Sequence, residues 1–248
     1  MKAESFTFTV NPFDDTPTHL LTPATLGRRI LSCAELHAGA RGFARLEQDG
    51  CPLLWVLSRL VIEMERWPRL GETYTITTWV RRYYRYFCDR CFEITDGEGK
   101  VIGRAFTIWA MIDALTRRSH LLGDLVGKTM EPYCDAERQC NIRPLTKVKT
   151  PAGPTVGERV VYYSDIDENN HVNSIRYIDF ALDTFPASYY TNNTPARIEM
   201  AYHNETAAGG HLCIHRAEQT DGSFHLSFTT PDGGAVCTCA LAFTGTKQ

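Results

Sequence analysis

Ile62-Glu63-Met64-Glu65-Arg66-Trp67-Pro68-Arg69-Leu70-Gly71-Glu72, followed by the run TYTITTWV, decides the fold, because its opening triplet recurs as Ile198-Glu199-Met200 ahead of Gly209-Gly210 and the run HLCIHRAE. A triplet, a glycine turn and a β-branched or aromatic run that recur in this order mark an internal duplication. The likeness continues downstream. YFCDRCFEI enters Asp96-Gly97-Glu98-Gly99 and leaves through KVIGRAFTIWAMID, while SFHLSFTT enters Pro231-Asp232-Gly233-Gly234 and leaves through AVCTCALAF. Both read as hairpins whose glycines supply the positive φ of a tight turn.

A helical pattern precedes each strand set. Thr22-Pro23 offers an N-cap with proline in the first turn, and Leu26, Ile30, Cys33, His37 and Ala40 follow at helical spacing. In the second half Asn173 and Ser174 are cap candidates ahead of Ile175, Ile178, Leu182 and Phe185. Each half is therefore a helix followed by an antiparallel meander, which makes the fold class α+β. Between them, prolines 132, 144, 151 and 154 interrupt any periodicity, so residues 126–155 read as a surface linker between units at 1–125 and 156–248. A meander curled around one helix is the hotdog architecture, and two in tandem form a double hotdog by analogy with paired single ones.

With 248 residues, 43% of them apolar by composition, the chain is not disordered. Lys and Arg number 26 against 29 Asp and Glu, a net charge of −3, so no global field draws it to nucleic acid or an anionic membrane. Nine scattered cysteines lack the paired spacing of a disulfide framework and read as reduced thiols. MKAESFTFTVNPF has neither the apolar run nor the cleavage site of a signal peptide, and no stretch reaches the ~18 unbroken apolar residues of a membrane span. The expected location is cytoplasmic.

A duplicated fold needs two cores but can work with one site, so chemistry is sought where the halves differ. Asp167-x-Asn169-x-His171 places a carboxylate, an amide and an imidazole at alternate positions just before the second helix. In an extended segment these side chains share a face, where they could polarise a carbonyl and hold a water. Asp and Asn are equally at home as turn formers and caps, and the residues alone leave both readings open. In the first half Asp15-Thr16-Pro17-Thr18-His19 keeps the spacing but has proline at the amide position.

At this point the chain resembles the acyl-acyl carrier protein thioesterases of the plant and bacterial fatty-acyl type. The likeness rests on Trp55-Val56-Leu57-Ser58-Arg59, the first triplet, Pro68-x-x-Gly71-Glu72, Thr77-Thr78-Trp79, Trp109-x-Met111-Ile112-Asp113-x-x-Thr116-Arg117-Arg118, Asp165-x-Asp167-x-Asn169-x-His171-Val172-Asn173-x-x-x-Tyr177-Ile178 and Tyr202-His203-Asn204-Glu205. The resemblance implies a double hotdog that hydrolyses fatty acyl-acyl carrier protein, with Asp167, Asn169, His171 and Glu205 as catalytic positions. Plant members carry a cysteine directly after that glutamate. Here the position is Thr206, a hydroxyl without an adjacent base, which favours activated water over an acyl-enzyme.

The resemblance also implies an apolar acyl tunnel in the first half, for which Trp55, Leu57, Met64, Trp79 and Trp109 are candidates, although each alone could be core. Arg81, Arg82, Arg85, Arg117, Arg118, Lys147 and Lys149 are candidates for docking an acidic carrier protein, with a solvated strand end as the plain alternative for the first three. Cys88-x-x-Cys91 lies in a strand, where residues three apart face opposite sides, so no metal or other cofactor is expected. A homodimer is compatible with this reading. Two other functions share the same chemistry or pocket: an acyl-coenzyme A thioesterase, and a non-catalytic acyl-binding module.

Overall fold

The computed structural model describes residues 1–48 and 50–245. The chain forms two compact units, one of Met1–Leu60 with Glu65–Ile142, the other of Val61–Met64 with Arg143–Gln248.

The first unit opens with strand β1 (Ala3–Thr9) and helix α1 (Pro23–Gly39), and continues through β2 (Leu46–Gln48), β3 (Cys51–Met64), β4 (Thr73–Tyr84), β5 (Phe87–Asp96), β6 (Val101–Asp113) and a short helix α2 (Asp124–Met130). Strands run in the order β1-β4-β5-β6-β3, and the β1-β4, β4-β5 and β5-β6 pairs are antiparallel. Helix α1 starts where its sequence predicts. Thr22 Oγ1 accepts from the Thr25 N–H at 3.2 Å, and Pro23 costs nothing in a turn whose N–H groups have no helical partner. Its buried face carries Leu26, Ile30, Cys33 and His37 as expected, but ends on Ala38, with Ala40 exposed. Enclosure of the His37 ring lowers its pKa to about 4, chiefly through burial and then through nearby Arg90, so the core keeps it neutral.

The second unit contains β7 (Thr155–Val160), α3 (Arg176–Leu182), β8 (Asn193–Tyr202), β9 (His211–Glu218), β10 (Phe224–Thr229) and β11 (Ala235–Gly245), with strand order β8-β11-β10-β9-β7. Neighbours for which a register is resolved run antiparallel. Helix α3 buries Tyr177, Ile178, Phe180 and Ala181, and Tyr177 meets the Phe228 ring edge-on at 5.4 Å. Ile175 and Phe185 are buried as the periodicity predicts, whereas Leu182 is only partly so. Each unit is thus a helix against an antiparallel sheet, and the fold is a tandem hotdog.

Three expectations change. Residues 126–155 are not uniformly surface linker: α2 and a 3₁₀ turn (Glu131–Tyr133) lie in it, and Met130 is fully buried beside Phe43 and Leu53. The cysteines are not all free, since Cys91 and Cys140 form a disulfide. Their 49-residue separation offers no local spacing to read. Finally, the two Ile-Glu-Met triplets are similar in sequence but out of step in the fold. Glu65 and Arg66 N–H groups both point to Ile102 O, at 2.9 and 3.3 Å, as His203 and Asn204 point to Val236 O, at 2.9 and 3.1 Å. That pairing makes Met64 the counterpart of Tyr202, two residues beyond Met200. A shift of two keeps every side chain on its own face, so the triplet match still gives the correct strand pattern.

Candidate active site

The candidate residues of the second unit sit on a tight loop closed by backbone hydrogen bonds. Asp167 N–H donates to His171 O at 2.9 Å and Asn170 N–H to Asp167 O at 3.0 Å, while Ile166 bridges Val172. Asn170 takes φ 59°, a left-handed conformation that asparagine tolerates better than most residues. The segment is therefore a turn rather than an extended run, and the face-sharing expected of alternate residues does not apply. The Asp167 carboxylate is used locally, accepting from the Asn169 N–H at 2.8 Å.

Beyond the turn the chain zips to the segment after β8. Val172 N–H donates to Thr206 O at 2.8 Å, and His171 bridges Ala207. This backbone pairing brings the His171 and Glu205 side chains together, with Nδ1 to Oε2 at 3.6 Å. The distance suits an ion pair with a protonated imidazole and is too long for a hydrogen bond. Nδ1 is enclosed without a hydrogen-bond partner among the described residues, yet about a third of the His171 side chain (32%) remains accessible. A single added water would fit the reach of a general base.

Asp165 is the support beneath this loop, and it was quoted from the sequence only as part of a motif. Its fully buried carboxylate accepts from Tyr162 N–H (3.1 Å), Arg159 (3.1 Å) and Arg176 (2.9 Å), and its carbonyl accepts from Asn173 N–H (2.9 Å). It thereby joins β7, the loop and α3. Burial opposes its ionisation, but the Tyr162 N–H and the two guanidinium groups outweigh that and lower its pKa. Thr206 is itself buried, with its hydroxyl 3.5 Å from Tyr177 Oη, and belongs to packing beneath the loop.

The first unit repeats the loop with different side chains. Thr16 N–H donates to Leu20 O (2.8 Å), His19 N–H to Thr16 O (2.8 Å) and Leu21 N–H to Pro68 O (2.8 Å), one for one with the bonds of Asp167, Asn170 and Val172. His19 has the φ of 59° that Asn170 has, and Thr16 Oγ1 accepts from Thr18 N–H at 3.3 Å as Asp167 does from Asn169. Asp14 matches Asp165, accepting from Asn11 N–H (3.1 Å) and Arg29 (2.7 Å). Thr16, Thr18, Leu20 and Trp67 therefore occupy the places of Asp167, Asn169, His171 and Glu205. The sequence comparison that set His19 against His171 was one residue out of step: His19 corresponds to Asn170.

Of the candidates for an acyl tunnel, Trp55 and Trp109 line a recess of about 380 Å³, open mouth included, together with Leu31, Ala34, Glu35, Ala38, Phe43, Cys88, Arg90 and Met130 of the first unit. Trp79 is buried elsewhere, under the Arg138 guanidinium at 4.3 Å. Leu57 is partly buried and outside the recess, and Met64 belongs to the second unit. Sequence reasoning did not single out Arg90, because one arginine in a β-strand carries no spacing signal.

Among the basic candidates, Arg82 is held by Asp89 at 2.7 Å, and Arg85 lies over the Tyr86 ring at 5.1 Å. Arg81 is partly buried, whereas Arg117, Arg118, Lys147 and Lys149 are exposed. Cys237 and Cys239 are buried in β11, and burial raises both thiol pKa values. Among the described residues no cluster of His, Cys, Asp and Glu could hold a metal ion, and no helix is long and apolar enough to cross a membrane.

Two family models match: the acyl-ACP thioesterase N-terminal domain over residues 26–128 and the acyl-ACP thioesterase C-terminal domain over residues 149–243. A solved acyl-ACP thioesterase of Bacteroides thetaiotaomicron is 36% identical with a TM-score of 0.88, covering 98% of both chains. The 12:0-ACP thioesterase of Umbellularia californica, 19% identical, shares the fold with a TM-score of 0.84 over 99% of this chain and 98% of its own. A chloroplastic acyl-[acyl-carrier-protein] hydrolase of Cuphea viscosissima is 29% identical over 178 residues, 70% of this chain and 43% of that protein. The chain thus spans less than half the length of this curated plant relative.

Proposed function

The chain belongs to the acyl-ACP thioesterase family, and from that membership we propose that it hydrolyses the thioester joining a fatty acyl chain to acyl carrier protein. The observation that carries the proposal is the pairing of His171 with Glu205 on a loop whose counterpart in the first unit has only Leu20 and Trp67. A fold present twice has kept a titratable pair once.

In this reading a water near His171 and Glu205 loses its proton to one of them as its oxygen attacks the thioester carbonyl. Asn169 hydrogen-bonds the oxygen as it gains charge. Collapse of the tetrahedral intermediate breaks the carbon–sulfur bond, and the proton is returned to the departing pantetheine sulfur. A positioned general base contributes about 10²–10⁴ in rate and an oxyanion donor about 10²–10³, so neither group alone accounts for all of the activity. Asp167 acts by holding the turn that presents His171, since its carboxylate is bound to the Asn169 N–H. Thr206 is buried with its hydroxyl against Tyr177 Oη rather than against a base, which favours water as the nucleophile.

The recess of the first unit takes the acyl chain, with Trp55 and Trp109 in its wall, and the work is divided between an acyl-binding part at 1–125 and a catalytic part at 156–248. Arg81, Arg85, Arg117, Arg118, Lys147 and Lys149 provide positive surface for an acidic carrier protein. Incubation with acyl carrier proteins of graded chain length, and with the matching coenzyme A esters, tests the proposal by release of thiol and fatty acid. Carrier-bound substrate should be preferred, and the preference should weaken with added salt. Preference for coenzyme A esters would make the protein an acyl-coenzyme A thioesterase, and hydrolysis of neither would leave an acyl-binding module.

A further inference from the structure

We propose that the recess of the first unit selects acyl chains bearing an oxygen function, as a hydroxyl or carboxylate, along the chain, and that Arg90 is the residue that recognises it. The inference rests on the reading of the recess as the acyl site and adds a substrate class to it.

Arg90 comes from β5 and is 3% exposed, yet it lines a recess otherwise walled by Leu31, Ala34, Phe43, Trp55, Trp109 and Met130 among others. An arginine offers five N–H donors. Among the described residues, one acceptor is found for its side chain, Thr78 Oγ1, 3.3 Å from Nη1. Thr78 spends its own proton on Cys91 O at 3.2 Å, so its hydroxyl is oriented to accept from Arg90. No carboxylate of the described residues lies within ion-pair distance of Arg90. Glu35, in the same lining, is exposed, and Arg41, which is near enough to repel Arg90, is itself paired with Glu4 at 2.6 Å. Burial lowers the Arg90 pKa to about 10, which leaves it cationic at neutral pH.

A buried cation with most of its donors unused is costly, and filling the recess with plain methylene groups would also deny it water. A hydroxyl or carboxylate at that depth would accept from the free N–H groups instead. A site with buried donors discriminates strongly against a ligand that leaves them unpaired. The neighbouring thiols cannot replace such a ligand, because burial raises Cys33 and Cys88 to about 12 and both stay protonated.

Trp55 and Trp109 supply a binding signal that needs no turnover. Pantetheine amides of decanoic acid, 10-hydroxydecanoic acid and decanedioic acid, with an amide in place of the thioester, would be titrated against tryptophan fluorescence of the wild-type protein and of Arg90→Met. Hydroxyl isomers at carbons 6 and 8 complete the series. In the wild type at least one oxygenated ligand should bind about tenfold or more tighter than the decanoyl amide, and Arg90→Met should abolish that preference while tightening the decanoyl amide. Equal or weaker binding of every oxygenated ligand by the wild type overturns the inference, as does a folded Arg90→Met that keeps the preference. Should Arg90→Met fail to fold, the wild-type series and Arg90→Lys still decide, because lysine should retain a reduced preference. Failure of the thioesterase reading would show separately, as absence of fatty acid release from any carrier.

Discussion

The two loops that enter the helices are the same backbone object with different chemistry on it. Residues 14–22 and 165–173 share the turn hydrogen bonds, the residue at φ 59° and the buried or half-buried aspartate that braces the turn from below. What differs is the set of side chains on the outer positions: Thr16, Thr18, Leu20 and Trp67 in one, Asp167, Asn169, His171 and Glu205 in the other. The shared part can be assigned to folding, since the loop that lacks the candidate catalytic residues still has it. The remainder is where function should be sought, and exchanging residues between the loops is the direct way to test that division.

The largest effect should come from His171→Leu, which installs the first unit's residue. Loss of a positioned general base should lower kcat by about 10²–10⁴ while leaving the circular dichroism spectrum unchanged, because Leu20 occupies the same backbone setting. Glu205→Gln should lower kcat by tenfold or more. Near-normal turnover in His171→Leu, measured on carrier-bound substrate, would place the chemistry elsewhere and make the difference between the loops one of packing.

Next in size is the brace. Asp165→Asn leaves Arg159 and Arg176 facing a neutral amide, and since these side chains are 29% and 31% exposed they can rehydrate. The cost should be about 2 kcal/mol, below the 3–5 kcal/mol of a fully buried pair broken on one side. For a chain of this length that is a fall in Tm of roughly 4–8 °C. Its pH signature follows from the depressed pKa of Asp165. The carboxylate contributes stability above the unfolded value of about 3.9 and loses it as pH falls through the lower folded value. Wild type should therefore lose stability across that acid window more steeply than Asp165→Asn, in urea melts at a series of pH values. Equal slopes would show that Asp165 does not brace the loop electrostatically.

Much of this architecture can be read from the residues, and what cannot has a common cause. Strand β9 coincides with the run HLCIHRAE, and Thr22-Pro23 marks the start of α1, because period-two patterning and capping are local properties. The triplet Ile-Glu-Met gave the right pairing of halves although its copies are two residues out of step, since a two-residue slip preserves faces. The equivalence of His19 with Asn170 could not be read in the same way, because a one-residue error is exposed only by backbone hydrogen bonds, those of the turn itself and those of Leu21 to Pro68 and Val172 to Thr206 across long separations. The same holds for Cys91–Cys140, for buried Met130 in a proline-rich stretch, and for Arg90 in the recess. Of the candidate site, the residue types were legible and their use was not. The spacing predicts that Asp167 shares a face with Asn169 and His171, yet its carboxylate is bound to a backbone N–H two residues on.

That last point sets up a smaller and sharper exchange. Asp167→Thr places the first unit's residue in the turn, where Thr16 already makes the corresponding bond at 3.3 Å. If the carboxylate matters only as a turn brace, stability and turnover should both change little, by about 0.5 kcal/mol and less than twofold. If the carboxylate also takes part in the chemistry, kcat should fall about tenfold with Tm within a degree or two of wild type. We expect the first pattern, because the carboxylate is bound to the Asn169 N–H and the first unit accepts a neutral hydroxyl in the same place.

The smallest effect belongs to His19, and it tests the equivalence itself. If His19 were the relic of a catalytic histidine, its ion-pair contact with Asp15 at 3.1 Å would be a remnant of the same design, and its replacement could perturb the first unit. The backbone says otherwise: His19 has the φ of Asn170, its N–H makes the Asn170 bond, and its side chain is 71% exposed. Asparagine is better suited than histidine to a left-handed position, and an exposed pair of this kind contributes at most ~1 kcal/mol. His19→Asn should therefore shift stability by no more than about 0.5 kcal/mol in either direction and leave kcat/KM on carrier-bound substrate within twofold. His19→Val, with a β-branched side chain forced to positive φ, should cost about 1–2 kcal/mol at the same site. A reversed order, with asparagine harmful and valine harmless, would mean that the imidazole is what the loop retains and that His19 matches His171 after all.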